Sequence, residues 1–295
     1  METYVVHVTK ECNCNCLYCY EDDKTSKYTW KEIKEFLDNL IKYATSKEFH
    51  IEFLGGEPML KWDYIKKVYN YIEKERKDVR VSSYTITTNG TIMDEEIAKY
   101  LKENPKLHFA ISMDGHAYAN QFRIFKDGVN TYNKVMENIK ILQKNDIDFG
   151  IHIVSHLYNI AFLSESIFHL YSKGVKSIDV GTIEKTMKID EEYCNRFIKE
   201  LDIVSQKIVD GTYPDLHIGL FGWVKPKEDI RSYIRDSTGK VVGESYGRSG
   251  EDITHKDVYN TLRCTQQTPI SEMIYYIRKT VYDNHQIRLI KKRQM

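Results

Sequence analysis

Outside one short stretch the chain has almost no cysteine. Of six cysteines in 295 residues, four lie between positions 12 and 19, leaving Cys194 and Cys264. Proline is scarce, at five residues, and neither a low-complexity linker nor an internal repeat interrupts the sequence. Net charge is zero, from 43 basic and 43 acidic residues, so no electrostatic drive leads to nucleic acid or to an acidic membrane surface. No window approaches the ~18 apolar residues of a membrane span. Residues 1–9, METYVVHVT, lack the basic segment and long apolar core of a secretion signal. These absences predict a cytoplasmic protein with no nucleic-acid and no membrane partner. In a reducing compartment a cysteine cluster serves metal or catalytic chemistry rather than disulfides. The basic run IRLIKKRQM (287–295) reads as a solvated helix end.

What is present is ordinary globular composition, 41% hydrophobic and 29% charged, enough for two average domains or one α/β barrel. Short apolar runs alternate with amphipathic stretches. Strands are predicted at 3–9, 50–56, 84–90, 107–115, 149–155 and 177–183. Helices are predicted at 29–44, 60–77, from Asp94, at 131–145, near 161–172 and near 191–209. Thr29 and Glu32 form a capping box at the first of these. Six β–α units in series imply a parallel sheet with helices packed outside it, as an open doubly wound sheet or a partial barrel. In both, ligands bind beyond the C-terminal ends of the strands. From residue 211 the pattern changes to a hairpin at 231–247, turning at Ser237–Gly239, and a terminal helix at 270–290. The expected division is a barrel over 1–210 and an α+β extension over 211–295 that packs on it, because a stretch of this length with few apolar runs makes a marginal core.

The loop after the first strand reads KECNCNCLYCYED (10–22). Its spacing does not match the two separated pairs of a structural zinc site or the ferredoxin run. Without Cys14 it becomes Cys12-x3-Cys16-x2-Cys19. Three thiolates can hold three irons of a four-iron, four-sulfur (4Fe–4S) cluster, leaving the fourth iron open.

That spacing, with Tyr18 just before the last cysteine, resembles the radical S-adenosylmethionine (SAM) enzymes. LGGEP (54–58), TTNG (87–90) and SMDG (112–115), at the ends of the next three strands, are similar to the family's strand ends in the same order. The resemblance spans residues 3–183. It implies a partial (β/α)6 TIM-like barrel with an α+β extension, a 4Fe–4S cluster on Cys12, Cys16 and Cys19, and SAM at the mouth. It places Gly55, Gly56 and Glu57 at SAM's amino group, Thr88, Ser112 and Asp114 near the cofactor with the last two toward the ribose, and Arg123 at its carboxylate. The bland alternatives are tight turns, helix caps and a surface ion pair. The reaction implied is reductive cleavage of SAM to a 5′-deoxyadenosyl radical that abstracts hydrogen from an unactivated carbon.

The flavour of these motifs is similar to the branch that modifies peptides and proteins, implying a peptide or protein substrate and an external electron donor such as flavodoxin or ferredoxin. Cys194 and Cys264 are too few for a fully cysteine-ligated auxiliary cluster, and no separate leader-binding domain is expected before the barrel. Redox-neutral chemistry such as peptide epimerisation suits such a chain. It needs a thiol that returns hydrogen, for which Cys264, in the irregular tail, is the candidate; Cys194 and Cys14 read as bystanders. The other readings are a radical SAM enzyme for a small molecule or nucleotide, and an iron–sulfur binding protein without turnover.

Overall fold

A computed structural model describes residues 2–21, 23–44, 48–183, 189–222, 230–235, 241–247, 261–265 and 269–294. Between 230 and 273 the backbone path alone is described. Seven parallel strands run β1 (Glu2–Thr9), β2 (Glu48–Gly55), β3 (Arg80–Thr88), β4 (Leu107–Ser112), β5 (Phe149–Ser155), β6 (Ser177–Thr182) and β7 (His217–Ile218), each paired to the next. The sheet does not close, because β1 and β7 are not neighbours. Between the strands lie α1 (Trp30–Tyr43), α2 (Trp62–Asn70), α3 (Glu95–Glu103), α4 (Tyr132–Lys144), α5 (Leu163–Ser172) and α6 (Glu191–Val209). This is an unclosed α/β barrel: the alternation implies its parallel sheet, and the family resemblance its partial-barrel form.

The helices start where the sequence punctuates them. Thr29 and Glu32 cap α1 reciprocally, and Asp94 and Asp190 accept from backbone N–H groups in the first turns of α3 and α6. One face of each strand feeds a continuous apolar layer under the helices: Val6, Phe53, Ile86, Ile111, Ile153 and Val180 lie in it, with Phe36, Leu101 and Ile139 of the helices. The alternate residues, among them His7, Glu52, Ser112, His152 and Asp179, line the inner face of the barrel.

The extension lengthens the same sheet. The expected hairpin forms as β8 (Ile230–Arg235) and β9 (Val241–Gly247), antiparallel to each other; its turn lies outside the described residues. β9 pairs antiparallel with β1 over Thr3–Val6 and covers the edge of the parallel sheet. The stretch around Cys264 is not irregular: β10 (Thr261–Thr265) pairs with β8. The terminal helix α7 (Pro269–Gln294) packs Ile274, Ile277 and Val281 into the apolar layer, and Ser205 of α6 meets His285 at 2.8 Å. The parallel sheet also runs past residue 210, since β7 belongs to it; two residues are too short for a readable alternation. Among the described residues no helix is long and apolar enough to cross a membrane.

Candidate cofactor site at the barrel mouth

The cysteine loop leaves β1 and is pinned from three sides. The N–H groups of Asn15 and Leu17 donate to the carbonyls of Ile124 and Phe122 at 2.8 and 3.0 Å. From β2, Gly56 N–H donates to the Thr9 carbonyl and Glu57 N–H to the Glu11 carbonyl, at 3.1 and 2.8 Å. From β3, Asn89 reaches the loop through its side chain. The two glycines permit the second contact. A Cβ on Gly55, whose φ is +143°, would sit 1.9 Å from the Thr9 carbonyl oxygen. One on Gly56 would sit 2.3 Å from the carbonyl oxygens of Lys10 and Glu11.

Within the loop the cysteines divide. Cys12, Cys16 and Cys19 are half-buried, whereas Cys14 is 1% exposed and turned toward Asn89. A turn from Cys16 to Cys19, closed by the Cys19 N–H on the Cys16 carbonyl at 3.2 Å, brings the last two together. Among the described residues no group of three His, Cys, Asp or Glu converges on a single metal ion. This donor set fits a 4Fe–4S cluster, whose cysteine ligands sit on separate irons and need not converge on one point. Burial pushes the Cys16 thiol up, partly offset by the nearby Arg123 charge; a hydrogen bond from Cys14 brings Cys12 down to about 6 against burial.

Several of the assigned side chains are turned into the wall of the mouth. The resemblance places Glu57 at an ammonium, but its carboxyl has no exposed surface and accepts from Met59 N–H at 2.9 Å, Thr88 Oγ1 at 2.6 Å and Asn89 N–H at 2.6 Å. It clamps the end of β2 to the end of β3. Burial outweighs these donors and raises it to about 7. Thr88 is thereby committed to the wall. Asp114 is enclosed too: it pairs with Arg123 Nε at 3.0 Å, receives the Tyr18 hydroxyl, and accepts from Val154 N–H at 3.1 Å. Arg123 lies over the Tyr18 ring, 5.3 Å from its centre, and is 7% exposed. Tyr18, Asp114 and Arg123 thus form a buried knot between the cysteine loop, the end of β4 and the segment after it. Of the polar side chains assigned to the cofactor, Ser112 is the one half-buried on the inner face without a hydrogen bond among the described residues.

Cys264 lies on β10, three strands out from β1 by way of β8 and β9; its side chain lies outside the described residues. Cys194 is buried in the helix layer, as its position on α6 predicts.

The sequence reading misses several residues. Asn89, inside the quoted TTNG, ties β2, β3 and the loop together. Asn120 holds the Asp114 N–H at 3.0 Å. His156, 1% exposed, stacks on Phe122 at 5.2 Å and lies 5.0 Å from the Tyr18 ring; burial lowers it to about 4. On the inner face, strand register sets Ser112, His152 and Asp179 in one row across β4, β5 and β6. The TTNG segment carried a signal; the others depend on register that no short window reveals.

The model of the Radical SAM superfamily matches residues 6–161, more than half of the sequence. The chain belongs to that superfamily. Its β1–β5 region and cysteine loop are therefore a radical SAM barrel, of a family that uses a 4Fe–4S cluster and SAM. A curated relative, an uncharacterized protein of Methanocaldococcus jannaschii, is 32% identical over 189 residues, 64% of this chain and 65% of that one. A cysteine-type anaerobic sulfatase-maturating enzyme of Clostridium novyi is 32% identical over 156 residues, 48% of this chain and 40% of that enzyme. The chain spans less than two thirds of the length of either. Among solved structures, anSMEcpe with bound AdoMet and a peptide superposes with a TM-score of 0.63 at 22% identity, over 74% of this chain and 63% of that one. That likeness establishes the radical SAM partial-barrel fold.

Proposed function

We propose that this chain is a cytoplasmic radical SAM enzyme of the maturase type, acting on a peptide or protein. The observation that carries the reading is the division of the loop thiols. Three are half-exposed at the mouth and the fourth is turned into the wall, beside a β2 turn that admits glycine alone. When bound, the cluster and SAM supply a carbon radical strong enough to take hydrogen from an unactivated C–H bond. Cys12, Cys16 and Cys19 would hold the cluster. Gly55 and Gly56 would offer backbone to SAM, and Ser112 its hydroxyl to the ribose. Glu57, Thr88, Tyr18, Asp114 and Arg123 keep the wall in place, so that cofactor and substrate meet a fixed surface.

A sulfatase-maturating relative supports a protein or peptide substrate. Cys194 and Cys264 are too few for a fully cysteine-ligated auxiliary cluster, which favours redox-neutral chemistry such as epimerisation over net oxidation. An external flavodoxin or ferredoxin would supply the electron. The test is anaerobic reconstitution with iron and sulfide, addition of SAM, reductant and candidate peptides, and quantification of 5′-deoxyadenosine. The native chain should form it and Cys16→Ala should not. Product peptide made in deuterated water should gain one deuteron if the reaction is epimerisation. A fully loaded chain that cleaves no SAM with or without peptide would favour a binding protein without turnover.

A further inference from the structure

The three half-buried thiols of the loop are not equivalent. The Asn89 side-chain oxygen accepts from the Thr91 N–H at 3.0 Å and the Thr91 hydroxyl at 2.7 Å. This fixes the amide with its nitrogen toward the cysteine loop. Nδ2 lies 2.8 Å from Asn13 Oδ1, 3.2 Å from Cys14 Sγ and 3.9 Å from Cys12 Sγ. The Cys14 sulfur therefore accepts from Asn89, which leaves its own S–H to be donated. The Cys14 N–H adds a donor to Cys12 Sγ at 3.4 Å. Among the described residues neither Cys16 nor Cys19 sulfur accepts a hydrogen bond; the Cys19 thiol donates to the Glu21 carbonyl at 3.9 Å.

We infer that Cys14 and Asn89 are positioning residues that hydrogen-bond the Cys12 thiolate and raise the reduction potential of a cluster held by Cys12, Cys16 and Cys19. The inference rests on the proposed function. A donor on a ligand sulfur withdraws electron density and favours the reduced, more negative cluster. Cys14 is 1% exposed, so this donor is shielded from water. Asn89 also donates its backbone N–H to Glu57 at 2.6 Å, so the chain Glu57–Asn89–Cys14–Cys12 ties the β2 turn to one iron ligand.

The test uses the full chain reconstituted anaerobically, with iron and sulfide counted and the midpoint potential read by an EPR-monitored titration. Cys14→Ala should load as the native chain does and titrate at a lower potential, and Cys14→Ser, which keeps a donor, should recover part of the shift. Asn89→Ala keeps the backbone bond to Glu57 and should shift the same way, which keeps the proposal open to refutation if Cys14→Ala folds poorly. An unchanged potential in both alanine variants at full loading overturns this proposal alone. Loss of iron from Cys14→Ala with retention in Cys12→Ala would make Cys14 a ligand and overturn it too. A native chain that takes up no cluster would overturn the underlying reading along with it.

Discussion

Glu57 shows how a single buried carboxyl ties the site to pH. Its proton is held to about pH 7, above the ordinary 4.5, chiefly because burial disfavours the charge. The folded state therefore binds more protons than the unfolded chain between these values. The stabilisation is complete below the ordinary value and is lost as pH rises through about 7. A shift of this size corresponds to about 3 kcal/mol. In the metal-free chain the unfolding free energy should fall over that window, and Glu57→Gln should flatten the slope; urea titrations at several pH values measure it. Arg123 makes the complementary case. Removing it by Arg123→Ala leaves Asp114 buried with the Tyr18 hydroxyl and one backbone N–H but no cation. Breaking a buried pair this way costs about 3–5 kcal/mol, which urea unfolding at neutral pH should report. A surface ion pair would give less than about 1 kcal/mol, so the magnitude tests the burial directly.

At the scale of elements, the end of β2 and the root of the cysteine loop form one unit. Gly56→Ala would push a methyl carbon to 2.3 Å from two loop carbonyls, and backbone cannot yield as a side chain tip can. The variant should lose iron on reconstitution, while a substitution that affected SAM alone would keep its iron and lose SAM affinity. Iron counting beside SAM titration separates the two. This coupling also marks where the sequence is readable. The strands β1 to β6, the capped starts of α1 and α3 and the hairpin β8–β9 were legible because each rests on local periodicity and capping. The superfamily was legible because the spacing of the cysteines in the loop is itself the signal. The inward turn of Glu57 and the enclosure of Asp114 and Arg123 were not, because carboxylates and an arginine near strand ends look alike whether they face a ligand or a neighbouring loop. The pairing of β9 with β1 escaped for another reason: its partners are more than two hundred residues apart and leave no local trace.

In the whole molecule the extension covers the unclosed barrel on both flanks. Along β1, β9 covers an edge whose residues Val5 and Val6 are fully buried, and α7 seats Ile274, Ile277 and Val281 on the other side. A chain ending before residue 230 should expose that edge and that apolar seat, and sediment as aggregate to a greater extent than the full chain under the same conditions. The mouth is divided in the same way. The strand ends of β1 to β4 carry the cysteine loop, the glycine turn and Ser112. Beyond them the inner face carries His152 and Asp179, with no side-chain hydrogen bonds among the described residues. Both lie over glycines: a Cβ on Gly181 of β6 would come 2.8 Å from His152 Nε2, and one on Gly219, just after β7, 2.6 Å from Asp179 Oδ1. The positive charge of Arg278, on α7, acts on His152, and its Nε is buried without a partner among the described residues. Under the proposed function, these polar groups, unpaired among the described residues, would meet the substrate's own donors and acceptors. His152→Ala should therefore retain the cluster, SAM affinity and any substrate-independent SAM cleavage. It should lower peptide modification by tenfold to a hundredfold, the equivalent of about 1–3 kcal/mol for one lost polar contact. Equal loss of SAM cleavage and peptide modification would instead place His152 on the cofactor side of the mouth, beside Ser112.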